Sequence, residues 1–171
     1  PTIHYKTSIN RFDWDLKNEL ITFDASGKEA TFLCTDAIQD SLKFNGKTAD
    51  YNLKTNILNA FGVPFVRTCD AFVFPDSNQV QIETGGKMAT FNNARIVCDT
   101  STQYHVINKA VVTIKGKKAY EAKGFYEYNL GKRVQEIKFD NIVGNRVGKG
   151  QSSEKKTETR GFGNVLEADN F

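Results

Sequence analysis

Apolar and polar residues alternate with a period of two along much of this chain, and this alternation predicts β-strands. Ala49, Tyr51 and Leu53 share one parity, and polar residues occupy the positions between them. Comparable strand-like segments lie at residues 94–98, 110–114, 120–128 and 134–143. Side chains two positions apart lie on one face of a strand, so these segments predict strands with one face directed into a core.

Turn-forming residues separate the predicted strands. Glycine and asparagine tolerate a positive φ angle, and this property predicts turns at Asn45-Gly46, Gly85-Gly86 and Asn92-Asn93. With the other turn-like segments of the chain, turn signals recur at intervals of roughly 8 to 20 residues, which is typical of stacked antiparallel strands. The sequence therefore predicts an all-β fold, and it leaves an antiparallel roll, a sandwich and a short solenoid as open alternatives.

A helical pattern is found only at residues 36–42, where a single turn could form. Asp36 is expected to cap it, because a carboxylate accepts hydrogen bonds from the free amides of a first turn. We expect at most one or two short helices in the whole chain.

Alanine marks a loose internal repeat. It recurs at similar places in successive strand units, at positions 30, 49, 71, 94 and 110, with separations of 16 to 23 residues. Such irregular spacing favours layered strand pairs over a strict repeat array. A small residue at each start predicts tight packing between successive layers.

The polarity of the chain changes near its end. Residues 1–143 are expected to form one β-rich domain, and residues 144–160, rich in glycine, serine and charged side chains, a polar mobile loop or linker. Residues 161–171 regain strand character and are expected to form a final strand that continues into a longer parent protein.

Composition indicates a folded domain. The hydrophobic fraction is 39% and the charged fraction 25%, which are values of globular proteins. A formal net charge of +3 with interspersed signs argues against nucleic acid as a partner, since nucleic-acid binding leaves a basic stripe. No apolar stretch approaches the roughly 20 residues of a membrane helix, so no span is expected.

The three cysteines, Cys34, Cys69 and Cys98, form no C-x-x-C pair. We expect three buried thiols, and one disulfide with one remaining thiol is the alternative. Each cysteine lies within two residues of an aspartate, namely Asp36, Asp70 and Asp99. These aspartates are expected to bond the amides of their own turns.

Residues suited to catalysis are sparse. His4 and His105 are the only histidines, and a metal or hydrolytic site would normally draw on more. His105 is expected at a strand start with a half-exposed ring. No phosphate-binding glycine loop occurs, and no pair of acids stands out. Neither a catalytic residue, a metal nor a cofactor is predicted.

Aromatic residues are the strongest binding candidates. Tyr120, Tyr126 and Tyr128 share one face of a predicted strand, and Trp14 lies among polar residues near the start. If these rings are exposed, they could stack on sugars or contact a partner. If they are buried, they form part of the core. These four residues form the predicted ligand-binding set.

Several segments resemble a stretch within very long bacterial proteins of the cell envelope. The similar segments are FNGKTADYNL at 44–53, GVPF at 62–65, DAFVFPD at 70–76, YH at 104–105 and YEAKGFYEY at 120–128. The resemblance spans about residues 35–171 and implies an envelope location, periplasmic or associated with the outer membrane, but no activity. A weaker likeness, at Ala49 to Gly62, is to the β-jelly-roll modules of lipopolysaccharide-transport proteins.

The leading functional hypothesis is a non-enzymatic structural or interaction module of a larger bacterial envelope protein. Its expected partners are neighbouring domains of the same parent chain, contacted edge to edge. A glycan- or lipid-binding β module is the first alternative, and a carboxylate-based hydrolase is the second.

Overall fold

The structure, a computed structural model, describes residues 3–130, 133–146 and 157–165. Within them, two single 3₁₀ turns, Ala37–Gln39 and Asp76–Asn78, accompany fifteen strands. The strands are β1 (Tyr5–Thr7), β2 (Phe12–Asp15), β3 (Leu20–Asp24), β4 (Ala30–Cys34), β5 (Lys43–Gly46), β6 (Thr48–Asn52), β7 (Ile57–Phe61), β8 (Val66–Thr68), β9 (Ala71–Phe74), β10 (Gln79–Ile82), β11 (Phe91–Cys98), β12 (His105–Gly116), β13 (Ala119–Leu130), β14 (Arg133–Arg146) and β15 (Thr157–Val165). The predicted all-β class, with at most two short helices, is confirmed.

Two antiparallel sheets stack in a sandwich-like arrangement around one core. The large sheet has the strand order β1-β4-β5-β8-β9-β11-β12-β13-β14-β15, and the small sheet has the order β10-β7-β6-β3-β2. The main cluster of buried apolar residues draws side chains from both sheets. The inner faces of the two sheets therefore pack against each other around this core.

The chain alternates between the sheets as it runs along the stack. It places β1 in the large sheet, β2 and β3 in the small one, β4 and β5 in the large one, β6 and β7 in the small one, and β8 and β9 in the large one. After β10 in the small sheet, β11 to β15 form a meander that extends the large sheet. The layered strand pairs predicted from the alanine spacing are thus present.

All five repeating alanines are buried, at positions 30, 49, 71, 94 and 110. Ala49 lies directly across from Ala60 in β6 and β7, where both are fully buried. On the opposite sheet Phe32 and Phe44 stack with ring centroids 5.1 Å apart. Both alanines and both rings belong to one buried core cluster, so the small residues lie where close packing between layers was predicted.

Two predicted turns are wrong. Asn45-Gly46 forms the end of β5, where a Cβ on Gly46 would lie 3.1 Å from the Phe32 ring and 3.2 Å from the Phe61 carbonyl oxygen. Gly46 therefore serves close packing at the point where the chain changes sheets. Asn92-Asn93 lies inside β11, where the pairing with β12 shifts register and Asn93 has a φ of 59°. The positive φ angle produces a β-bulge there, so the strand continues.

The other local predictions hold at Gly85-Gly86 and Asp36. Both glycines have positive φ angles, 83° and 79°, in the loop after β10. The Asp36 carboxylate accepts a hydrogen bond of 2.9 Å from the amide of Ile38 and so caps the first 3₁₀ turn.

Two of the three aspartates beside the cysteines form the predicted hydrogen bonds within their own turns, and the third does not. Asp36 and Asp99 bond amides of their own turns, as predicted; Asp99 accepts from Ser101 at 3.1 Å. The prediction is wrong for Asp70, whose carboxylate accepts from the backbone amide of Thr159 at 3.1 Å, 89 residues away. Asp70 therefore connects distant parts of the large sheet.

The three cysteines are free thiols, with Cys34 and Cys98 buried and Cys69 half-buried.

The predicted polar segment at 144–160 begins and ends in strand, because β14 runs to Arg146 and β15 starts at Thr157. Residues 147–156 and 166–171 lie outside the described residues. Among the described residues, the structure has no helix of the length and apolar character needed to cross a membrane.

Candidate functional site

Strand β2 is a free edge of the small sheet. It pairs with β3 on one side, and no described strand pairs with its other side. In this pairing Phe12 lies across from Phe23, and Trp14 lies across from Ile21. An edge strand of this kind presents a row of unpaired backbone amides and carbonyls that another strand could join.

Phe12 and Trp14 lie on the inner face of the small sheet. The register places Trp14 and Ile21 in one row with Leu58 and Ile82, which are buried in the core. Phe12 lies in the neighbouring row, and its ring contacts that of Phe23 at a centroid distance of 6.2 Å. Both aromatic rings therefore continue the core surface out to the edge strand.

The two edges of the small sheet differ in how this inner face is covered. At the β10 edge, Val80 and Ile82 are 1% and 0% exposed. At the β2 edge, Phe12 and Trp14 are 58% and 56% exposed. Core-facing residues are thus buried at one edge of the sheet and bare at the other.

A tight turn fixes the end of β2. The Asp15 carboxylate accepts hydrogen bonds from the amides of Lys17 and Asn18 at 3.0 and 3.1 Å, and from the Asn18 side chain at 2.6 Å. The bond from the Asn18 side chain is the main reason that the pKa of Asp15 is lowered. Leu16 lies in this turn and is a third exposed apolar residue, two positions after Trp14 in the sequence. We call Phe12, Trp14 and Leu16 the β2 apolar patch.

The three predicted tyrosines share one face of β13, but the structure places them in different environments. Tyr120 is buried in the core, Tyr126 is half-buried and Tyr128 is exposed. The Tyr126 hydroxyl contacts Nδ1 of His105 at 3.2 Å, and His105 is exposed at the first residue of β12. Because β13 runs outward from the core, the face holds no continuous exposed row, and Trp14 lies on the other sheet.

Tyr120 belongs to a polar cluster inside the large sheet. The Thr159 hydroxyl donates to the Asp70 carboxylate, and the Tyr120 hydroxyl lies 2.8 Å from the Thr159 oxygen, to which it donates. The sulfur of Cys98 lies 4.0 Å from the Tyr120 oxygen. Burial raises the pKa of Cys98 to about 11, and burial also raises that of Cys69 to about 11. The thiols are therefore protonated near neutral pH, which leaves them weak nucleophiles, and this cluster acts as a structural link.

Among the residues that the structure describes, no three histidine, cysteine or acidic side chains are arranged to hold a metal ion.

A broad groove of about 800 Å³ opens on the outer face of the large sheet, with Lys43, Arg67 and Lys117 among its lining residues. Sequence reasoning missed this groove, because its basic residues come from strands far apart along the chain. It also missed Phe12 and Leu16, although their alternation with Asp13 and Asp15 could have indicated an exposed edge.

Comparison with known proteins adds no family to these observations, since no family model, curated protein or solved structure matches the chain significantly.

Proposed function

We propose that this chain is a non-enzymatic interaction module that binds an extended strand of a partner protein along the free edge of β2. The observation that carries this proposal is the bare inner face at that edge, where Phe12 and Trp14 are more than half exposed. A strand added beside β2 would complete the backbone hydrogen bonding and cover both rings. Addition of a strand to a sheet edge is a common mode of peptide recognition.

The side chains of β2 define the chemistry of the partner strand. Successive residues of a strand point to opposite faces, so Phe12 and Trp14 face inward while Asp13 and Asp15 face outward. An added strand would place every second side chain beside the aromatic rings and the others beside the carboxylates. Opposite charges and aromatic–apolar pairs stabilise neighbouring strands. The partner strand therefore alternates apolar and basic residues.

A second copy of β2 is a poor occupant. If two β2 strands paired with their aromatic rings on the same inner face, Asp13 and Asp15 of one copy would lie beside aspartates of the other. Like charges directly across a strand pair are destabilising. This charge pattern supports a partner strand of different sequence.

The biological setting of the proposal is a larger bacterial envelope protein whose neighbouring domains supply such strands. Its support is the resemblance of segments such as 44–53 and 120–128 to proteins of that kind. Edge-to-edge pairing of neighbouring domains would extend the layered strand order already present in the small sheet.

The test uses Trp14 as a reporter, since it is the only tryptophan in the chain. The purified chain is titrated with a short peptide of alternating valine and lysine, and then with one of alternating valine and glutamate. Covering the indole moves it out of water, so we expect a saturable blue shift of its fluorescence with the lysine peptide and a much weaker one with the glutamate peptide.

Charge reversal at the edge provides the control. Asp13→Lys leaves one lysine and Asp15 on the outer face of β2, with no net charge, and should abolish the preference between the two peptides. Asp50→Lys, on the outer face of the more central strand β6, should leave it unchanged. Absence of a shift with the lysine peptide, equal shifts with both peptides in the original chain, or an unchanged preference in Asp13→Lys would each refute strand capture at β2.

A further inference from the structure

The second surface of interest is the groove on the outer face of the large sheet, remote from β2. Strands β5 and β8 share a single registered pair, Phe44 with Val66, whereas β4 and β5 share four pairs and β8 and β9 share three. The two strands therefore diverge, and the groove of about 800 Å³ lies where they separate.

The turn between β12 and β13 forms one wall of this groove and is fixed by backbone contacts. The amide of Lys117 donates to the Gln39 carbonyl at 3.0 Å, and the Lys117 carbonyl accepts from the Cys69 amide at 2.8 Å. The Thr68 hydroxyl donates to the Gly116 carbonyl at 2.7 Å. These three bonds hold the turn beside β8 and place its lysines at the groove.

Positive charge dominates the lining. Four cations, Lys43, Arg67, Lys117 and Lys118, line the groove with one carboxylate, Glu29. Lys118 is balanced by Asp40, which leaves an excess of two positive charges in the groove.

Three of these cations are available to a ligand. Lys118 forms an ion pair with Asp40, and Glu29 accepts a hydrogen bond from the Asn45 side chain at 3.2 Å. Among the described residues, no carboxylate forms an ion pair with Lys43, Arg67 or Lys117. We call Lys43, Arg67 and Lys117 the groove cations.

An aromatic surface adjoins these cations. The Arg67 guanidinium lies 5.7 Å from the centroid of Phe72, which restricts its orientation. Phe65, also in the lining, packs edge-on against Phe72 at 5.0 Å and is 38% exposed. The groove thus combines an oriented guanidinium with an exposed ring.

We propose that this groove binds a phosphate monoester carried on a ring, such as a sugar phosphate or a nucleoside monophosphate. The phosphate group meets the groove cations, because a guanidinium and two ammonium groups donate hydrogen bonds to its three terminal oxygens, which share its two negative charges. The ring of the ligand packs against Phe65. This site is independent of strand capture at β2, since it lies on the other sheet.

Isothermal titration calorimetry of the full chain with four probes tests the proposal. We expect glucose 6-phosphate or adenosine monophosphate to bind about tenfold more tightly than inorganic phosphate, and uncharged glucose not to bind. The tighter of the two esters identifies the ring as a sugar or a nucleoside. No binding of either ester, or equal affinity for inorganic phosphate and both esters, would overturn the proposal.

Variants locate the site. Lys43→Gln and Arg67→Gln should each weaken binding of the preferred ester about tenfold, because each removes a charge-assisted hydrogen bond. Lys54→Gln removes the same charge from the turn between β6 and β7 on the small sheet and should leave the affinity unchanged. Phe65→Leu should weaken the ester and leave inorganic phosphate unaffected. Equal effects of Lys43→Gln and Lys54→Gln would show that net charge, and not the groove, attracts the ligand.

Discussion

Tyr120 lies directly across from Gly144 on adjacent strands, and its ring occupies the space that a side chain at Gly144 would need. A Cβ at Gly144 would also lie 3.1 Å from the sulfur of Cys69. An aromatic ring that covers a cross-strand glycine protects its backbone from water. This pair is a packing requirement, which explains why the most deeply buried of the predicted ligand-binding tyrosines belongs to the core.

Gly144→Ala should destabilise the fold by about 2 kcal/mol, because the added methyl group must displace the Tyr120 ring from a well-packed core. Urea denaturation measures this loss. The control is a double-mutant cycle with Tyr120→Leu, in which the smaller side chain makes room for the methyl group and the cost of Gly144→Ala becomes smaller. Equal costs in both backgrounds would contradict the overlap.

Thiol reactivity distinguishes the three cysteines. Cys34 and Cys98 are buried and Cys69 is half-buried, with its pKa raised by burial to about 11. In the native protein a disulfide reagent should therefore react with one thiol, and slowly near neutral pH, since only the thiolate reacts. The rate should rise about tenfold per pH unit below the pKa.

In denaturant all three thiols should react rapidly, which provides the control for this measurement. A Cys69→Ser variant should lose the native reaction and keep the two denatured ones. Native labelling of Cys98 or Cys34 in place of Cys69 would contradict the observed burial.

At the level of elements, β15 is held to the rest of the large sheet by more than its pairing with β14. Thr159 donates two hydrogen bonds to Asp70 in the turn between β8 and β9, and its oxygen accepts one from Tyr120. The side chain therefore connects an edge strand to strands that are distant in the sheet order.

Thr159→Val should loosen β15, because it removes the hydroxyl that joins the Asp70 carboxylate to the Tyr120 hydroxyl and leaves Asp70 only the backbone amide of residue 159. Buried polar groups that lose a partner cost about 1–3 kcal/mol each. We expect trypsin to cleave after Arg160, within β15, several-fold faster than in the original chain. Thr113→Val, which removes an exposed hydroxyl contact to Thr90, is the matched control and should leave this cleavage unchanged. Equal cleavage in both variants would refute the link.

Strand parity was the part of the fold that the sequence predicted best. The alternation at Ala49, Tyr51 and Leu53 placed β6, and that at residues 120–128 placed β13, because a period of two depends only on neighbouring residues. The turns at Asn45-Gly46 and Asn92-Asn93 failed for a physical reason. Glycine also occurs where two chain segments pack closely, and asparagine also occurs in β-bulges. A local sequence pattern cannot distinguish these positions from turns.

At the scale of the whole molecule, the candidate surfaces were mostly beyond prediction. Trp14 was identified by residue type, but its exposure depends on where the large sheet stops covering the small one. The groove cations come from β5, β8 and the turn after β12, and they line one groove because contacts with Gln39, Thr68 and Cys69 hold that turn beside β8. Such features follow from strand order, which is a long-range property.

The response of the fold to alkali also belongs to the whole molecule, because it sums the buried acids of the core. Burial raises the pKa of Cys98 from an ordinary 9.0 to about 11, and burial likewise raises the pKa values of Tyr5 and Tyr120. Between the two pKa values of Cys98, 9.0 and about 11, the native state binds more protons than the unfolded state. The free energy of unfolding therefore falls as pH rises through this range. The stabilisation by Cys98 is fully present below about pH 9 and is lost toward about pH 11.

We therefore expect the free energy of unfolding to be lower at about pH 10.5 than at about pH 7, with Cys98 contributing about 2 kcal/mol of the difference. Urea denaturation of the original chain and of Cys98→Ala at both pH values isolates this contribution, because the ionisation of surface lysines is common to both proteins. The variant should lose about 2 kcal/mol less between the two pH values, whatever its stability at neutral pH. An identical loss in the two proteins would mean that the Cys98 thiol ionises as freely in the fold as in water. That outcome would contradict the burial of the contact between Cys98 and Tyr120.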